Sequence, residues 1–281
     1  MYSVCIVTDN SVQFSNAAFY GQNIIKIISL DTVLHGEIIK SKEINLPPFA
    51  SPEMSPHLLA PTVEEFKQIF SRLSKQYNEI IGIFLSSYLN DCYQNACEAV
   101  TSLRGGPKIQ IMDSMTTSIG QGLMVQKAAE AIVHLGSLTD IERKVRSLMN
   151  RTYFLISTSN LSYLQYSGFI DHAQATVGEM LELLPIFTME EGKLIPVEKK
   201  RTARHISIHF QEFIDEFDQL EHIALVQSPG ADASEARLIK DHVHDHFPGT
   251  SFSEHSLNLP LATLFGPSAT ALTVVESDLE D

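Results

Sequence analysis

The sequence has little cysteine and no long apolar run, and each shortage excludes a class of protein. The three cysteines, Cys5, Cys92 and Cys97, are odd in number and lack the spacing of a disulfide framework, which favours a reducing compartment over secretion. Cys92 and Cys97 lie on a predicted helix, where inert thiols are the simplest interpretation. No window approaches the roughly 20 apolar residues of a membrane span, and Asp9 interrupts any amino-terminal signal peptide. We therefore expect a soluble, cytoplasmic protein.

Basic residues are also scarce. The chain has 20 Lys and Arg against 34 Asp and Glu, which is a formal net charge of -14. A nucleic-acid partner would need basic patches that displace counterions, and an anionic lipid surface would repel an acidic protein. The composition therefore argues against nucleic-acid binding and against docking on anionic membranes.

Apolar residues are abundant enough for a large core. They make up 44% of the 281 residues, and this length suits one large domain or two ordinary ones. In the first half, apolar segments that end at Asp9, Leu85 and Met112 alternate with helical patterns. Such alternation predicts right-handed crossovers and a mostly parallel sheet flanked by helices.

The second half has a different character. Strand patterns at 184–188 and 193–197 flank a Glu-Glu-Gly turn and predict a hairpin. We expect a C-terminal α/β domain with this hairpin and a mixed or antiparallel sheet. The predicted fold class is α/β with two domains, residues 1–153 and residues 154–281.

Local signals predict several element bounds. Prolines predict a loop over residues 46–62, and Thr62 and Glu65 have the spacing of a capping box that opens a helix. Periodicity also predicts a strand over 22–29 and helices that begin at Gly120, at Thr139 or Asp140, and at Ser207.

The polar stretch S-S-Y-L-N-D-C-Y-Q-N-A at residues 86–96 carries the most chemical information. It joins a buried-strand pattern at residues 80–85 to a helical pattern. The first N–H groups of a helix lack partners and the helix dipole favours negative charge there, so this turn can hold a carboxylate or a phosphate. A similar turn begins at Asp113 and Ser114. Two such turns predict a ligand site at the carboxyl edge of a parallel sheet.

Other polar residues have simpler interpretations. Asp9 and Asp113 can equally cap the helices that follow them. His242 and His246 share a helix face, but two histidines are too few for a metal site, so we predict no metal. No serine lies in a G-x-S-x-G elbow with a recognisable base, so we predict no catalytic residue.

Several segments match the motifs of one family. Residues 86–96 are similar to S-S-x-L-S-G-T-Y-Q-S-A, and residues 113–122 are similar to D-S-x-x-x-S-x-G-x-G. Weaker similarities cover residues 7–11, 58–66, 163–170 and 192–202. Together they resemble the DegV family, also called the EDD-fold fatty-acid-binding proteins, over nearly the whole chain.

The resemblance implies two α/β domains that enclose a long-chain acyl ligand, without catalysis by the protein itself. Family members hold the fatty-acid carboxylate with a threonine and a serine, and some present the acid to a separate kinase. Here the threonine position is Leu58 and the serine position is Asn90. The arginine and histidine positions of the family are Phe169 and Leu264.

We therefore predict a non-catalytic protein that binds a long-chain fatty acid, or a related acyl lipid, in an interdomain cleft. Head-group recognition is expected to be altered, and the kinase-donor role to be absent. No other cofactor is expected. The predicted lipid-binding residues are Asn90, Leu58, Ser86, Ser87, Ser118, Phe169 and Leu264, together with the N–H groups of Asp91 and Cys92.

Two alternatives stay open at this point. One is a metal-dependent enzyme that acts on a small acidic or phosphorylated metabolite through Asp9 and Asp113. The other is an interaction module that has lost ligand binding. Elongated density between the two domains, or its absence, is the single observation that would best separate these hypotheses.

Overall fold

The computed structural model describes residues 4–39, 46–103, 107–134 and 137–278, and its contacts divide the chain into two compact units. The first unit comprises Met1–Asp31 and Leu59–Asn150, and the second comprises Thr32–Leu58 and Arg151–Asp281. The domain boundary near residue 153 stays a prediction. In addition, residues 32–58 belong to the same compact unit as the second half of the chain.

The strands are numbered in chain order. They are β1 (Val4–Asp9), β2 (Ile25–Ile28), β3 (Asp31–Leu34), β4 (Glu37–Ile38), β5 (His57–Leu59), β6 (Glu79–Phe84), β7 (Lys108–Asp113), β8 (Thr152–Ser157), β9 (Leu184–Glu190), β10 (Lys193–Lys200), β11 (Leu220–Gln227), β12 (Ser251–Ser256) and β13 (Thr270–Glu276).

The helices are numbered in the same way. They are α1 (Val63–Leu73), α2 (Cys92–Ser102), α3 (Ser118–His134), α4 (Leu138–Met149), α5 (Leu161–Tyr166), α6 (His172–Met180), α7 (Ala203–Ile214), α8 (Ala233–His246) and α9 (Leu259–Phe265), and a 3-10 helix spans Gln22–Ile24.

A parallel sheet forms the centre of the first unit. Its strand order is β2-β1-β6-β7, and every neighbouring pair is parallel. All of β1 is buried, as is β6 from Ile80 onward, which is expected for strands that are covered on both faces. Because parallel strands end at the same edge, the residues that follow Asp9, Phe84 and Asp113 lie close together. The predicted parallel sheet is confirmed.

Helices of the first unit pack in pairs, α1 against α2 and α3 against α4. The predicted capping box is present at the start of α1, where the Glu65 N–H donates to Thr62 Oγ1 and the Thr62 N–H donates to Glu65 Oε2. These two bonds satisfy backbone donors that a helix start otherwise leaves unpaired.

A mixed sheet forms the centre of the second unit. Its strand order is β10-β9-β8-β13-β11-β12, and the pairs are antiparallel except for β11 with β12. The predicted hairpin is confirmed as β9 and β10. One face of the sheet packs Ile223, Leu225 and Leu272 against Phe210 of α7 and Ile239 of α8.

One of the two outer strands of this sheet, β10, is irregular. Its pairing with β9 shifts register between Pro196 and Glu198, and proline lacks the N–H that a further strand would need. Lysines lie at both ends of the strand, at positions 193, 199 and 200. These features discourage pairing with another chain at this edge.

Hydrogen bonds hold residues 47–50 to α5 and the residue before it, within the second unit. Asn160 Nδ2 donates to the Pro48 carbonyl and Tyr163 Oη donates to the Pro47 carbonyl at 2.7 Å, while the Ala50 N–H donates to Ser162 Oγ at 3.0 Å. The predicted loop is therefore largely correct, but it contains the short strand β5.

Several predicted bounds are wrong. The strand predicted over residues 22–29 is a 3-10 turn followed by the shorter β2, and α3 begins at Ser118 instead of Gly120. Helix α4 begins after Ser137 instead of at Thr139 or Asp140. The largest error concerns α7, predicted from Ser207 but begun at Ala203, because Thr202 Oγ1 accepts the His205 N–H and caps the helix four residues earlier.

Among the helices in the described parts of the chain, none is long and apolar enough to cross a membrane.

Candidate functional site

The buried carboxylate of Asp9 holds three segments together at the edge of the parallel sheet. Its Oδ1 accepts the Ser11 N–H at 2.9 Å and the Ser11 hydroxyl. Its Oδ2 accepts the Leu85 N–H at 2.9 Å and Gln121 Nε2 at 2.8 Å. Burial raises the pKa of the Asp9 carboxyl, and the four hydrogen bonds oppose that rise. Because both oxygens have internal donors, this carboxylate acts as an anchor for the turn.

Asp113 anchors the neighbouring turn in the same way. Its Oδ2 accepts the Ser87 N–H at 3.1 Å and its Oδ1 accepts the Met115 N–H at 2.8 Å. The Ser86 N–H donates to the Thr116 carbonyl at 2.7 Å. Successive N–H groups that follow β6 therefore donate within the protein. The metal-dependent alternative gains no support, since the oxygens of both aspartates are engaged and no group of three or more metal-ligating side chains occurs among the described residues.

The predicted head-group residues Ser86, Ser87 and Asn90 share one turn. The Ser86 side chain is buried and accepts the Tyr88 N–H at 3.2 Å. Ser87 and Asn90 are half-buried. Asn90 Oδ1 accepts the Cys92 N–H at 3.1 Å, so the expectation that this N–H meets a head group is wrong. The Ser87 hydroxyl and the Asn90 amide are two further polar side-chain groups of this turn.

Ser118 has a structural role at the start of α3. It is fully buried, has a positive φ of 58°, and its hydroxyl donates to Gln13 Oε1 at 2.9 Å. The Gln13 N–H donates back to the Ser118 carbonyl at 3.2 Å. A Cβ at Gly122 would lie 1.8 Å from the Gln13 carbonyl oxygen. The glycine of this motif therefore allows the loop at Gln13 to pass directly over the helix.

In the second unit, Phe169 follows a glycine turn that ends α5. Gly168, at φ 79°, donates to the Gln165 carbonyl, and the Phe169 N–H donates to the Leu164 carbonyl. These two bonds form a Schellman motif, which needs the left-handed conformation that glycine adopts easily. The motif places the Phe169 ring on that of Phe265, with centroids 5.9 Å apart.

Leu264 and Leu58 are both buried apolar side chains, 3% and 8% exposed. Leu264 lies on α9, next to Phe265 in the sequence, and its carbonyl accepts the Ser167 hydroxyl at 3.0 Å. The structure thus brings Phe169 and Leu264 into one cluster formed by the end of α5 and by α9. Their predicted role in lipid binding stays a prediction, as does that of Leu58.

Two amide side chains in these networks are absent from the predicted site. Gln121 is fully buried and bonds to Asp9 and Thr8. Asn160 accepts both the N–H and the hydroxyl of Ser268 through its Oδ1. The only local feature that could have singled out Gln121 is its position between two glycines. A buried amide needs specific hydrogen-bond partners.

The histidines and cysteines fit the simple interpretations. His242 Nε2 lies 2.7 Å from Asp215 Oδ1, and its ring stacks on that of His246. Cys5 and Cys92 are buried, and burial raises the pKa of the Cys5 thiol to about 11. Burial likewise raises the pKa of Cys92 and of Cys97, which disfavours the reactive thiolate.

Comparisons with a family model and with known proteins identify the same family. The family model described as "Uncharacterised protein, DegV family" matches residues 3–277. Protein DegV of Bacillus subtilis is 28% identical over 223 residues, which cover 76% of this chain and 78% of that protein.

Solved structures share the fold. A structure described as "Fatty Acid Binding of a DegV family Protein from Thermus thermophilus" has a TM-score of 0.80 and 21% identity, covering 98% of this chain and 100% of that one. A DegV family protein from Eubacterium eligens, described as loaded with heptadecanoic acid, has a TM-score of 0.79 and 14% identity, with 98% and 100% coverage. These similarities confirm the α/β fold class.

Proposed function

The chain belongs to the DegV family, and on this premise we propose that it binds a long-chain acyl lipid whose head group meets the Ser87 and Asn90 side chains. The observation that supports this proposal most directly is the structure of the turn after β6, which contains Ser87 and Asn90. Ser87 is fixed by Asp113 and Asn90 is fixed against Cys92, so two half-buried polar side chains are held at the carboxyl end of a parallel strand, where ligands of open α/β sheets bind. The fatty-acid descriptions of the Thermus thermophilus and Eubacterium eligens proteins support the same ligand class.

We infer that head-group recognition is altered. Residues 86–96 contain no Lys, Arg or His, and Asp91 lies directly beside Asn90. An ionised carboxylate here would meet neutral donors and a neighbouring negative charge. Because burying a charge without a partner is costly, these residues favour an acyl lipid with a weakly charged or neutral polar end.

We also propose a binding role without catalysis and without presentation of the acid to a kinase. Where the resemblance places an arginine and a histidine, this chain has Phe169, which stacks on Phe265, and the buried Leu264. Neither side chain carries a charge or a transferable proton. A cytoplasmic location fits this role and the low reactivity of the thiols.

Native mass spectrometry tests the proposal. We expect purified protein to carry one acyl chain, or to take up one heptadecanoic acid per chain after delipidation. The variant Asn90→Asp keeps an oxygen that can accept the Cys92 N–H, but it replaces the amide donor with a negative charge. We expect it to bind heptadecanoic acid at least about tenfold more weakly, which corresponds to about 1.4 kcal/mol.

The matched control is Asn23→Asp, which makes the same charge change at an exposed position of the 3-10 turn. It should bind like the wild type. A wild-type protein that takes up no acyl chain would contradict the proposed function. Equal binding by Asn90→Asp and the control would instead remove Asn90 from the head-group site.

A further inference from the structure

A cavity of about 190 Å³ opens on the surface of the first unit, apart from the residues assigned to the acyl lipid. It is lined by Lys127, Glu130, Ala131, His134 and Lys144. The first four lie on α3 and the last lies on α4, the helix that packs against it.

The lining follows from helix geometry. Lys127, Glu130, Ala131 and His134 have the spacing i, i+3, i+4 and i+7, so they share one face of α3. Most of the rest of α3 is buried, including Val125 and Ala128. The polar side chains therefore emerge along the one strip where α3 meets solvent, and Lys144 of α4 faces the same cavity.

The cavity lining carries an excess of positive charge, with two ammonium groups against the single carboxylate of Glu130. Neither Lys127 nor Lys144 forms an ion pair with any carboxylate in the described ranges, although Lys67, Lys200 and Lys240 each do. In a chain of net charge -14, a cavity whose lining has more ammonium groups than carboxylates departs from the overall charge balance. Like charges that share a site repel each other, and an anion between them would relieve that repulsion.

We propose that this cavity binds a compact phosphate-class anion, either inorganic phosphate or a small phosphate monoester. Pockets for drug-sized ligands span roughly 300–1,000 Å³, so this cavity suits a smaller molecule. Phosphate oxygens accept hydrogen bonds from several ammonium groups at once, and the His134 ring offers a further nitrogen. Glu130 accepts a hydroxyl hydrogen from the ligand. The inference does not depend on acyl-lipid binding.

Isothermal titration calorimetry on the full chain tests the inference, with inorganic phosphate and glycerol phosphate as probes at constant ionic strength. We expect one saturable site. Lys127→Gln and Lys144→Gln should each weaken the binding of both probes about tenfold or more, a factor that corresponds to about 1.4 kcal/mol. Glu130→Gln should weaken glycerol phosphate selectively if the monoester is the ligand, and neither probe selectively if free phosphate is.

The control is Lys67→Gln, which removes one ammonium from α1, a helix that packs against α2. It should leave both affinities unchanged. Since the two cavity lysines form no ion pair with the described residues, their variants should keep the wild-type melting temperature. The proposal is overturned if neither probe gives saturable heat, or if Lys67→Gln weakens binding as much as the cavity variants do.

Discussion

Asp9 and His222 are both buried titratable side chains, and they differ in how many hydrogen-bond partners surround them. Asp9 has four donors from three segments. Among the described residues, the His222 side chain has one hydrogen-bonding partner, Ser253, whose Oγ lies 2.8 Å from Nε2. Burial, with a further contribution from His255, lowers the pKa of His222 to about 4. His222 is therefore neutral in the folded protein at neutral pH.

The depressed pKa of His222 predicts acid sensitivity. An unfolded histidine titrates near 6.5, so between pH 6.5 and about 4 the unfolded chain binds more protons than the folded one. Stability contributed by the neutral ring is present above pH 6.5 and is lost as the pH falls, up to about 3 kcal/mol. In urea titrations at pH 7.5 and pH 5, His222→Gln should lose clearly less stability than the wild type.

His205→Gln is the control, because His205 is exposed. It should lose stability between the two pH values by as much as the wild type does. If His222→Gln shows that same full loss, another group, such as the partly buried His255, accounts for the acid sensitivity.

Residue roles were only partly readable from the sequence. Asp9 could be placed at the end of a strand, because a short apolar run precedes it. Its partner Gln121 lies 112 positions away, and no local pattern pairs the two. Ser86 and Ser87 were likewise expected beside a ligand. Their N–H groups donate to Thr116 and Asp113, contacts that only the folded sheet brings together.

Elements with strong local signals were predicted well, and those that depend on packing were not. The capping box at Thr62 and the hairpin of β9 and β10 are confirmed. The start of α7 was predicted too late, because Thr202 caps it without the Glu or Gln that marks a capping box. Helices α5, α6 and α9 were missed. Helices α5 and α9 have six and seven residues and too few turns to show a period, whereas α6 has nine residues and its capping box at Asp171 and Gln174 was overlooked.

At this scale, Gly122 decides how α3 packs. A Cβ at this position would lie 1.8 Å from the Gln13 carbonyl oxygen. A backbone atom cannot move away as easily as the end of a flexible side chain can. We expect Gly122→Ala to lower the free energy of unfolding by about 2 kcal/mol or more, measured by urea denaturation.

Gly249→Ala provides the comparison. Apart from Gly249 itself and its two chain neighbours, no atom of the described residues lies within 4 Å of the position that a Cβ would take. This variant should therefore unfold within about 0.5 kcal/mol of the wild type. A Gly122→Ala protein of wild-type stability would show that the loop at Gln13 can move away from α3 at little cost.

Across the whole molecule, charge shapes what the protein can bind. A net charge of -14 repels an approaching anion over distances that salt shortens. The proposed head-group residues carry no cation that would offset this repulsion. Fatty acid and fatty alcohol of equal length bury the same tail, so their difference reports on the head group alone.

We therefore expect salt to affect the binding of an ionised acid and of a neutral alcohol differently. Raising NaCl from about 20 mM to about 200 mM shortens the screening length about threefold, and should strengthen the binding of dodecanoic acid relative to dodecanol. Competition against a fluorescent acyl probe measures both. A dodecanoic acid that weakens with salt relative to the alcohol would reveal a cationic head-group site and contradict the assignment to Ser87 and Asn90.

The grouping of residues 32–58 with residues 151–281 has a consequence for synthesis of the protein. The carbonyls of Pro47 and Pro48 emerge from the ribosome long before Tyr163 and Asn160, which donate to them. Residues 47–48 therefore lack these hydrogen-bond partners while more than one hundred further residues are synthesised. If translation stopped at Asn150, the end of the first unit, residues 32–58 would therefore lack residues 151–281, with which they form the second unit.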